Sequence, residues 1–590
     1  MQKDETMIRD AVSWVLAAVF LFSLGLLAVR LKEVQVDDVA DYNYAKTRQS
    51  IRRVQLGGVR GRILDRNGVV LADNRRSVSI VCLPEHFQKK SWKETIAAIE
   101  SGIAVVSETI GRPSPVSSRT IARHVHQSLA MPLVVWRDIG ELVLARFCEH
   151  ERDLTGFTVV ESEERVYPQG AMAAHLIGYV GRERGEVDPG DEKFNFCLPE
   201  MRGRSGLEIY YDSYLRGVPG EKKVLVDARG FAISEWTVAS PRRGPDLKIS
   251  IDVEIQRAVE RELAGEKGAC VVLDPASGDV LALASAPGFD PNSFVPYLNR
   301  ELYDRYSGDA AKPLLNRACG GAYAPGSTFK PVTALAALAA GADSAAQYDC
   351  SGVYVYGSMR LRCWRRWGHG PLDMREALRE SCNPYFCNAA VAAGSNAVIT
   401  AAREFALGEK TGIDLGVDAK GVVPDAEWKR SVYNERWYPG DLPQMAIGQG
   451  MLLASPLQMA RLTAAIATGF VVRPRLNLDL PISRRKLGFS GRHLAVVREG
   501  MRMVVDGGTG RRGGEGVAAK VCGKTGTAEI GRGETRRKNT WFIAYAPEVS
   551  PKVALAIVVE NGESGGSTAA PKARNILAKI FGETAEGGGE

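Results

Sequence analysis

The 590-residue chain carries little excess charge of either sign, and its aromatic residues are few. The formal net charge is +7, and aromatic side chains make up 7% of the sequence. No basic cluster is interleaved with aromatic residues in the way that nucleic-acid binding would require. The composition therefore excludes a nucleic-acid binder and leaves a mild attraction to an anionic membrane surface. The length suffices for about two to four domains.

Long apolar runs are scarce. Residues 11–29 form the one stretch long enough to cross a membrane. At a rise of about 1.5 Å per residue, a helix of this length spans the hydrocarbon core. Arg30-Leu31-Lys32 follows where a cleaved signal peptide would carry small residues, so the run predicts an uncleaved anchor. Lys3 and Arg9 precede it, so the positive charges on its two sides nearly balance and leave its orientation open.

Cysteine is also sparse, with ten residues in the chain and no Cys-x-x-Cys pair. A disulfide-dense exported scaffold would be shorter and richer in cysteine. Most of the cysteines are scattered and are expected to be small buried hydrophobic residues. These are Cys82, Cys148, Cys197, Cys270, Cys319, Cys387 and Cys522.

One serine, Ser327, stands in a setting suited to nucleophilic catalysis. Pro325-Gly326 marks a turn just before it, and residues 332–338 have the composition of a buried helix. A helix that begins at Ser327 would place Lys330 one turn further on, on the same face. An amine at that distance can accept the hydroxyl proton and so activate the oxygen. The N–H groups of the first turn favour developing negative charge.

Two further motifs follow in order. Ser381-Cys382-Asn383 comes after a helical stretch at 372–380, and Lys524-Thr525-Gly526-Thr527 follows an apolar run. Residues 541–546 and 553–559 read as the next strands of an antiparallel sheet. We therefore predict that the Lys-Thr-Gly run lies on an inner strand that lines a cleft. Gly526 would let a substrate backbone approach closely.

The Ser-x-x-Lys and Lys-Thr-Gly motifs each have a second copy in a setting less suited to catalysis. Ser483-Arg484-Arg485-Lys486 lies in a basic stretch with no apolar helix behind it, which indicates a solvated surface run. Lys410-Thr411-Gly412 leads into a loop-like segment. Three motifs in the expected order, each on a suitable element, make chance an unsatisfactory explanation.

The three motifs resemble those of penicillin-binding transpeptidases, and the resemblance covers nearly all of the chain outside its tail. Tyr323-Ala324-Pro325-Gly326 is similar to the elongation type of class B penicillin-binding proteins. The further segments that carry the resemblance are 60–68, 165–168, 175–181, 206–217, 448–450 and 455–460.

The resemblance implies a two-step acyl transfer. Ser327 would attack the carbonyl of the penultimate D-alanine of a donor stem peptide, and an amine of a second stem peptide would then take the acyl group. Lys330 is the expected general base, and Ser381 would relay a proton to the leaving group. Asn383 would position the substrate amide and Lys330. The expected carboxylate-binding and cleft-lining residues are Lys524, Thr525, Gly526 and Thr527, with an oxyanion hole at the backbone N–H groups of Ser327 and Thr527.

The predicted fold class is α+β. Together with the anchor predicted at 11–30 and a disordered tail at 583–590, the resemblance implies a cytoplasmic tail at 1–10, an extended pedestal at 31–245 and a transpeptidase domain at 246–582. The catalytic domain would combine an antiparallel sheet, flanked by helices, with an all-helical block inserted between its strands. A hairpin at 270–283 and a last helix at 571–581 would belong to this sheet layer.

Four residues form a candidate metal site: Cys350, Cys363, His369 and Cys382. Three thiolates and one imidazole make a suitable tetrahedral zinc set, and the last ligand lies inside the Ser-x-Asn motif. Some relatives of the elongation type carry a metal at matching positions. The alternatives are a Cys350–Cys363 disulfide, or neither. The metal would be structural, and the chemistry itself would need no cofactor.

The resemblance also implies partners and a location. These are peptidoglycan stem peptides, β-lactams, the inner membrane with a periplasmic catalytic domain, a RodA-like glycan polymerase and elongation-complex scaffold proteins. The alternatives are a division- or sporulation-type transpeptidase, a β-lactamase or penicillin sensor, and an inactive scaffold. A hydrolase needs a deacylating base, for which the sequence offers no candidate.

Overall fold

The structure is a computed structural model that describes residues 2–37, 50–183, 195–198, 200–296, 298–531 and 536–584. Residues 38–49, near the start of the predicted pedestal, and most of the predicted disordered tail lie outside the described residues, as does the side chain of Cys197. The first element is helix α1 (Gln2–Lys32). Its apolar span, Ala11–Val36, has a mean hydropathy of 2.4 and none of it is buried against the rest of the chain. By length and composition this helix can cross a membrane.

The pedestal region contains eleven strands and six helices within its described residues. In chain order, the strands are β1 (Ile51–Leu56), β2 (Ile63–Leu64), β3 (Val70–Cys82), β4 (Leu133–Trp136), β5 (Phe157–Val166), β6 (Val180–Glu183), β7 (Asn195–Cys197), β8 (Glu200–Gly203), β9 (Gly220–Val226), β10 (Ala232–Ala239) and β11 (Leu247–Lys248). The helices are α2 (Trp92–Ile110), α3 (Ser118–Gln127), α4 (Glu141–Glu149), α5 (Ala174–Ile177), α6 (Gly206–Tyr210) and α7 (Asp212–Leu215).

These strands form two larger sheets and one small one. The first larger sheet has the order β10-β9-β1-β7. The second has the order β11-β2-β3-β4, and β5 also pairs with β3. Strands β6 and β8 pair with each other. Helices α2, α3 and α4 cover β3 and β4 around a core that includes Ile99, Trp136 and Phe147.

The chain enters and leaves the pedestal through two segments that run side by side, which we call the neck (59–64 and 244–249). Strand β2 pairs with β11 in parallel, and Arg62 forms an ion pair with Asp246 at 2.6 Å. The packing is tight, because a Cβ on Gly61 would lie 1.9 Å from the carbonyl oxygen of Pro245. Strand β11, at the start of the predicted transpeptidase domain, therefore joins the pedestal sheet instead of the catalytic one.

The catalytic region, from residue 250 onwards, alternates strands with a large helical block. Its strands are β12 (Gly268–Leu273), β13 (Val280–Ala286), β14 (Tyr348–Cys350), β15 (Val353–Tyr356), β16 (Met359–Arg362), β17 (Gly370–Leu372), β18 (Phe470–Val472), β19 (Arg484–Lys486), β20 (Cys522–Ile530), β21 (Arg537–Ala546) and β22 (Val553–Glu560). Its helices are α8 (Val253–Glu262), α9 (Arg300–Gly308), α10 (Lys330–Ala339), α11 (Met374–Arg379), α12 (Asn383–Ala393), α13 (Ser395–Glu404), α14 (Ala426–Tyr433), α15 (Asp441–Ala446), α16 (Pro456–Thr468), α17 (Gly491–Asp506) and α18 (Ala570–Phe581).

The catalytic sheet has five antiparallel strands in the order β13-β12-β22-β21-β20. Because side chains alternate along a strand, its two faces bury different sets of residues. One face, with Phe542 and Ile557, packs on α8 and α18. The opposite face, with Trp541 and Val558, packs on the helical block that contains α10 and α16. Two helix layers thus enclose the sheet, and the α+β prediction is confirmed.

Strand β20, which carries the Lys-Thr-Gly run, lies at the edge of this sheet. The prediction of an inner strand is wrong, because the two strands that follow β20 in sequence both extend the sheet on the same side. The other side of β20 has no strand partner among the described residues. At Gly526 the strand lies against the turn that contains Ser327, since a Cβ on Gly526 would lie 2.8 Å from the oxygen of Pro325.

Candidate active site

Ser327 lies in a tight 3₁₀ turn, Gly326–Phe329, and α10 begins only at Lys330. The helix predicted to start at Ser327 therefore starts three residues later. Pro331 has no N–H and cannot donate the α-helical hydrogen bond to the oxygen of Ser327. The N–H of Lys330 donates to that oxygen instead, and the turn stays tight. Ser327 is half-buried, and its Oγ makes no hydrogen bond within the described part of the chain.

Lys330 is fully buried, and its Nζ faces the Ser-x-Asn motif. Nζ donates hydrogen bonds to the Ser381 carbonyl at 2.7 Å, to Ser381 Oγ at 3.2 Å and to Asn383 Oδ1 at 2.7 Å. Burial lowers the pKa of Lys330 to about 8, although neighbouring cysteines, Cys382 first among them, oppose this. A lysine in this range is poised to exchange a proton near neutral pH.

Ser381 has a left-handed backbone conformation, with φ of +52°. It follows α11, whose N-terminus Asp373 and Glu376 close with a capping box. A non-glycine residue in this region is strained, and such strain is concentrated at functional sites. The conformation turns the Ser381 side chain into the space between two lysines.

The second of these lysines is Lys524 on β20, which is also fully buried. Its Nζ donates to Ser381 Oγ at 2.9 Å and to the oxygen of Thr525 at 3.1 Å. Burial first, and then the nearby charge of Lys330, lower the pKa of Lys524 well below its ordinary value. One serine oxygen therefore accepts hydrogen bonds from two amines that come from opposite walls of the cleft.

Three residues outside β20 hold Thr525 and Thr527 in place: Thr509, Gly565 and Gln449. Sequence reasoning gave none of the three a role. Thr525 Oγ1 and Thr509 Oγ1 are 2.8 Å apart. Thr527 Oγ1 accepts from the N–H of Gly565 at 3.2 Å, and the Thr527 carbonyl accepts from Gln449 Nε2 at 3.3 Å.

Gln449 belongs to a glycine-flanked segment that packs directly on the serine turn. The N–H of Gly326 donates to the oxygen of Gly448 at 2.9 Å. The segment 448–450 contributed to the family resemblance, so its Gly-x-Gly pattern was the available signal. Thr509 and Gly565 had no comparable signal, because they are ordinary small residues in turns.

The second copies of the two motifs lie outside the cleft. Ser483 and the three residues after it are exposed, and β19 there pairs with β18. Thr411 Oγ1 and the N–H of Gly412 donate to the carboxylate of Asp418, which fixes a loop. Both copies are therefore structural, as the sequence indicated.

The four candidate metal ligands are brought together. One ligand atom from each of Cys350, Cys363, His369 and Cys382 lies within 4.8 Å of all the others. His369 Nδ1 is 3.7 Å from Cys350 Sγ and 3.5 Å from Cys363 Sγ. All three cysteines are buried and free, so the alternative Cys350–Cys363 disulfide is not formed.

The electrostatics of this cluster favour a thiolate. A hydrogen bond from the Cys382 thiol, together with backbone N–H groups of Asn383 and Arg365, lowers the pKa of Cys363 in spite of burial. The imidazole Nε2 of His369 is buried and has no hydrogen-bond partner among the described residues.

A serine at the start of a helix, a buried lysine one turn on and a second buried lysine on the facing strand are typical of serine acyl-transfer enzymes in which lysine replaces histidine. The family comparison agrees with this class. Residues 268–578, more than half of the chain, match the penicillin-binding protein transpeptidase domain. Residues 56–249 match the penicillin-binding protein dimerisation domain. The chain therefore belongs to the penicillin-binding transpeptidase family.

Several relatives are similar to this chain over nearly its whole length. A peptidoglycan D,D-transpeptidase MrdA from Acinetobacter baumannii is 31% identical over 96% of this chain and 87% of the relative. A penicillin-binding protein PBP2 solved in complex with MreC from Helicobacter pylori has a TM-score of 0.76 and 26% identity, over 90% of this chain and 98% of that one. A chain of a peptidoglycan synthase complex that coordinates polymerization and crosslinking has a TM-score of 0.72 and 30% identity, over 97% and 98%.

Proposed function

We propose that the chain is an elongation-type peptidoglycan D,D-transpeptidase that works through an acyl-enzyme on Ser327. The observation that carries this proposal is the hydrogen bonding of Ser381 Oγ to both Lys330 Nζ and Lys524 Nζ beside the Ser327 turn. This hydrogen-bonded network supplies both a base for the nucleophile and a path for a proton to the leaving amine. The Acinetobacter baumannii relative carries the same activity in its name.

The chemistry can be assigned residue by residue. Neutral Lys330 accepts the proton of Ser327 Oγ while the oxygen attacks the carbonyl of the donor peptide. Ser381 Oγ passes its own proton to the departing D-alanine nitrogen, and Lys330, which donates to this oxygen, returns the proton taken from Ser327. Asn383 holds Lys330 through Oδ1, and its amide nitrogen donates to the oxygen of Arg362 at 3.0 Å.

The free edge of β20 suits an extended peptide substrate. A donor stem peptide that pairs with this edge would place its carbonyl carbon beside Ser327, with the N–H groups of Ser327 and Thr527 around the oxyanion. Lys524, Thr525 and Thr527 would bind the terminal carboxylate. A β-lactam would enter the same site as an acylating analogue.

The test is intact-mass measurement of the full-length protein in detergent after incubation with benzylpenicillin. We expect a long-lived one-to-one adduct that maps to Ser327 and is absent from Ser327→Ala. Ser483→Ala, in the exposed second Ser-x-x-Lys, is the matched control and should acylate normally. Rapid release of the adduct would point to a β-lactamase, and acylation of Ser327→Ala would disprove the assignment.

We further propose that α1 anchors the protein in the inner membrane with the catalytic region in the periplasm. A periplasmic catalytic region is required if the substrate is peptidoglycan. The solved relatives were obtained with MreC and within a peptidoglycan synthase complex. These relatives support a scaffold protein and a RodA-like glycan polymerase as partners of this chain.

We also propose that Cys350, Cys363, His369 and Cys382 hold a structural zinc ion. The donor set fits the metal, because three buried thiols and His369 Nδ1 converge, and thiolates with imidazole are typical zinc ligands. When bound, zinc would supply a rigid cross-link between three loop segments and no step of the reaction. His369 Nε2 lies 4.0 Å from the Glu380 carboxylate, a suitable outer partner for a ligating imidazole.

Elemental analysis of freshly purified protein tests the zinc site. We expect about one equivalent of zinc per chain, and its loss in Cys350→Ser together with a lower melting temperature. Cys270→Ser, at a buried cysteine in β12 away from the cluster, should keep the metal. Less than about half an equivalent in the wild-type protein would contradict the proposal.

A further inference from the structure

The hairpin β15–β16 and the loop after it present an unusual surface beside the cleft. We call this surface the rim and define it by seven exposed residues. They are Tyr356, Arg360, Arg362, Trp364, Arg365, Arg366 and Trp367. Neither the two-lysine site nor the metal cluster uses any of these side chains.

The tryptophans of the rim are far more exposed than tryptophans normally are. Trp367 is 85% exposed and Trp364 is 60% exposed, on a loop whose Cys363 and Gly368 are buried. Exposed aromatic side chains that are grouped together mark interaction sites, because core packing gives no reason to keep them in water. Trp364 is also held in place, since its Nε1 donates to the oxygen of Glu380 at 2.6 Å.

The arginines of the rim have no carboxylate partner among the described residues. No acidic side chain of these residues lies within 4.0 Å of Arg360, Arg362, Arg365 or Arg366. Some exposed arginines elsewhere on the catalytic region, such as Arg403 and Arg485, do pair with acidic residues. The guanidinium of Arg366 lies 5.4 Å from the ring centroid of Trp367, so cation and aromatic face are presented together.

The rim is continuous with the catalytic machinery. The carbonyl oxygen of Arg362 accepts a hydrogen bond from Asn383 Nδ2 at 3.0 Å. The loop then starts at Cys363 and ends at His369, both in the metal cluster with Cys382 of the Ser-x-Asn motif. The rim is thus fixed to the wall of the cleft that lies opposite the free edge of β20, where the donor peptide would pair.

We propose that the rim is the binding site for the acceptor, a carboxylate-bearing stem peptide attached to a glycan strand. The proposal rests on the transpeptidase function proposed above and adds the place of the second substrate. Guanidinium groups bind carboxylates with paired hydrogen bonds, and flat aromatic faces pack on the apolar faces of sugar rings. A carboxylate-bearing peptide attached to a saccharide uses both features. Its carboxylates would bind the arginines, and its sugar rings would pack on the tryptophans.

The location also suits the second half of the reaction. The acceptor amine forms a bond to the acyl carbon as the bond to Ser327 Oγ breaks, and the amine proton passes through Lys330 to that oxygen. The acceptor must therefore approach while the donor still occupies the β20 edge, which leaves the opposite wall for its binding.

The experiment separates the two substrates. Full-length protein in detergent would be acylated with a thioester donor that ends in a D-alanyl group. Two acceptors would then be offered: free D-alanine, which is too small to reach the rim, and a disaccharide-peptide fragment of peptidoglycan with a free amine. The variant is the double substitution Arg366→Ala and Trp367→Ala, and the matched control is Trp236→Ala, which removes a 43%-exposed tryptophan of β10 in the pedestal.

We expect the double variant to raise the KM of the disaccharide-peptide by at least about tenfold, as loss of tryptophan and arginine contacts commonly does. Its rate of acylation and its transfer to D-alanine should stay within about twofold of wild type, and Trp236→Ala should change neither. An unchanged KM for the disaccharide-peptide would overturn the rim proposal. A wild-type protein that fails to acylate at all would instead overturn the proposed function, so the two failures are distinct.

Discussion

At the scale of single residues, the site depends on how one serine is held between two amines. Ser381 has a left-handed backbone, and its Oγ accepts from Lys330 and Lys524, each of which is fully buried. Two ammonium groups in such a space would repel each other and lose solvation. The site is therefore most stable when at least one amine is neutral, which is the state that a general base requires.

The first prediction concerns the pH dependence of acylation. Lys330 accepts a proton only when it is neutral, and burial lowers its pKa to about 8. The neutral fraction grows as pH rises, so the second-order rate of benzylpenicillin acylation should increase through about pH 8 and then level off. Stopped-flow measurements between about pH 6 and pH 9.5 would follow this curve.

Lys330→Arg is the control for this dependence, because a guanidinium stays protonated throughout the range. The variant should acylate slowly at every pH. A wild-type rate that does not change with pH across the range would contradict the role of Lys330 as the base.

At the scale of elements, two separate backbone segments form the floor of the cleft by direct contact. Gly448 has φ of +73°, and a Cβ there would lie 2.0 Å from the oxygen of Gly326. The serine turn and the segment 448–450 thus approach as closely as two backbones can. Any side chain at this point would have to move the nucleophile.

The second prediction is that Gly448→Ala displaces the serine turn. The acylation rate should fall by at least about tenfold, and the melting temperature should drop by several degrees, since a clash with backbone adds to the cost of positive φ. Penicillin acylation and thermal unfolding measure the two effects.

Gly450→Ala is a close control. Gly450 has nearly the same φ, +72°, but its nearest contact would be the flexible side chain of Gln444 at 3.3 Å. This variant should show only the conformational cost, about 1–2 kcal/mol. Equal loss of acylation in both variants would show that the close approach at Gly448 has no particular importance.

Local sequence was enough to predict the elements that carry chemistry, but not how they meet. Helical periodicity predicts that Lys330 lies one turn after Ser327. The apolar runs after Lys524 predict the strands that follow it. The edge position of β20 could not be read from the sequence, because alternating strands look alike whichever neighbour they take. The left-handed Ser381 and the contact of Gly448 with Gly326 depend on segments far apart in the chain, for which local pattern contains no information.

At the scale of the whole molecule, a buried ion cluster holds the pedestal end of the neck. Glu208 is fully buried and accepts from Arg60 Nε at 2.6 Å and from Arg165 Nε at 2.7 Å. Burial alone would raise the pKa of Glu208, but Arg165 and Arg60 outweigh it and keep the pKa below its ordinary value. The cluster therefore stabilises the fold above the ordinary pKa of Glu208, and this contribution is lost as pH falls through the lower folded-state pKa.

The third prediction is that Glu208→Gln destabilises the pedestal by about 3–5 kcal/mol, because two buried arginines lose their compensating charge. Thermal unfolding should show this loss, and the loss should become smaller as the pH approaches that at which wild-type Glu208 is protonated.

Glu235→Gln is the matched control, because Glu235, on the exposed strand β10, pairs with Lys222 of β9. It should cost no more than about 1 kcal/mol. A similar small cost for Glu208→Gln would show that the buried cluster contributes little to the stability of the pedestal.

The neck also determines how the molecule would respond to mechanical load. Tension between the anchor and the catalytic region would act on the first neck segment near residue 59 and on the second near residue 249. These points lie at opposite ends of the two parallel segments. The hydrogen bonds from Gly244 to Val59, from Leu247 to Arg62 and from Ile249 to Leu64 would then be sheared together and not opened one at a time. We expect the junction to resist tension along the two segments more strongly than a force that peels one segment from the other.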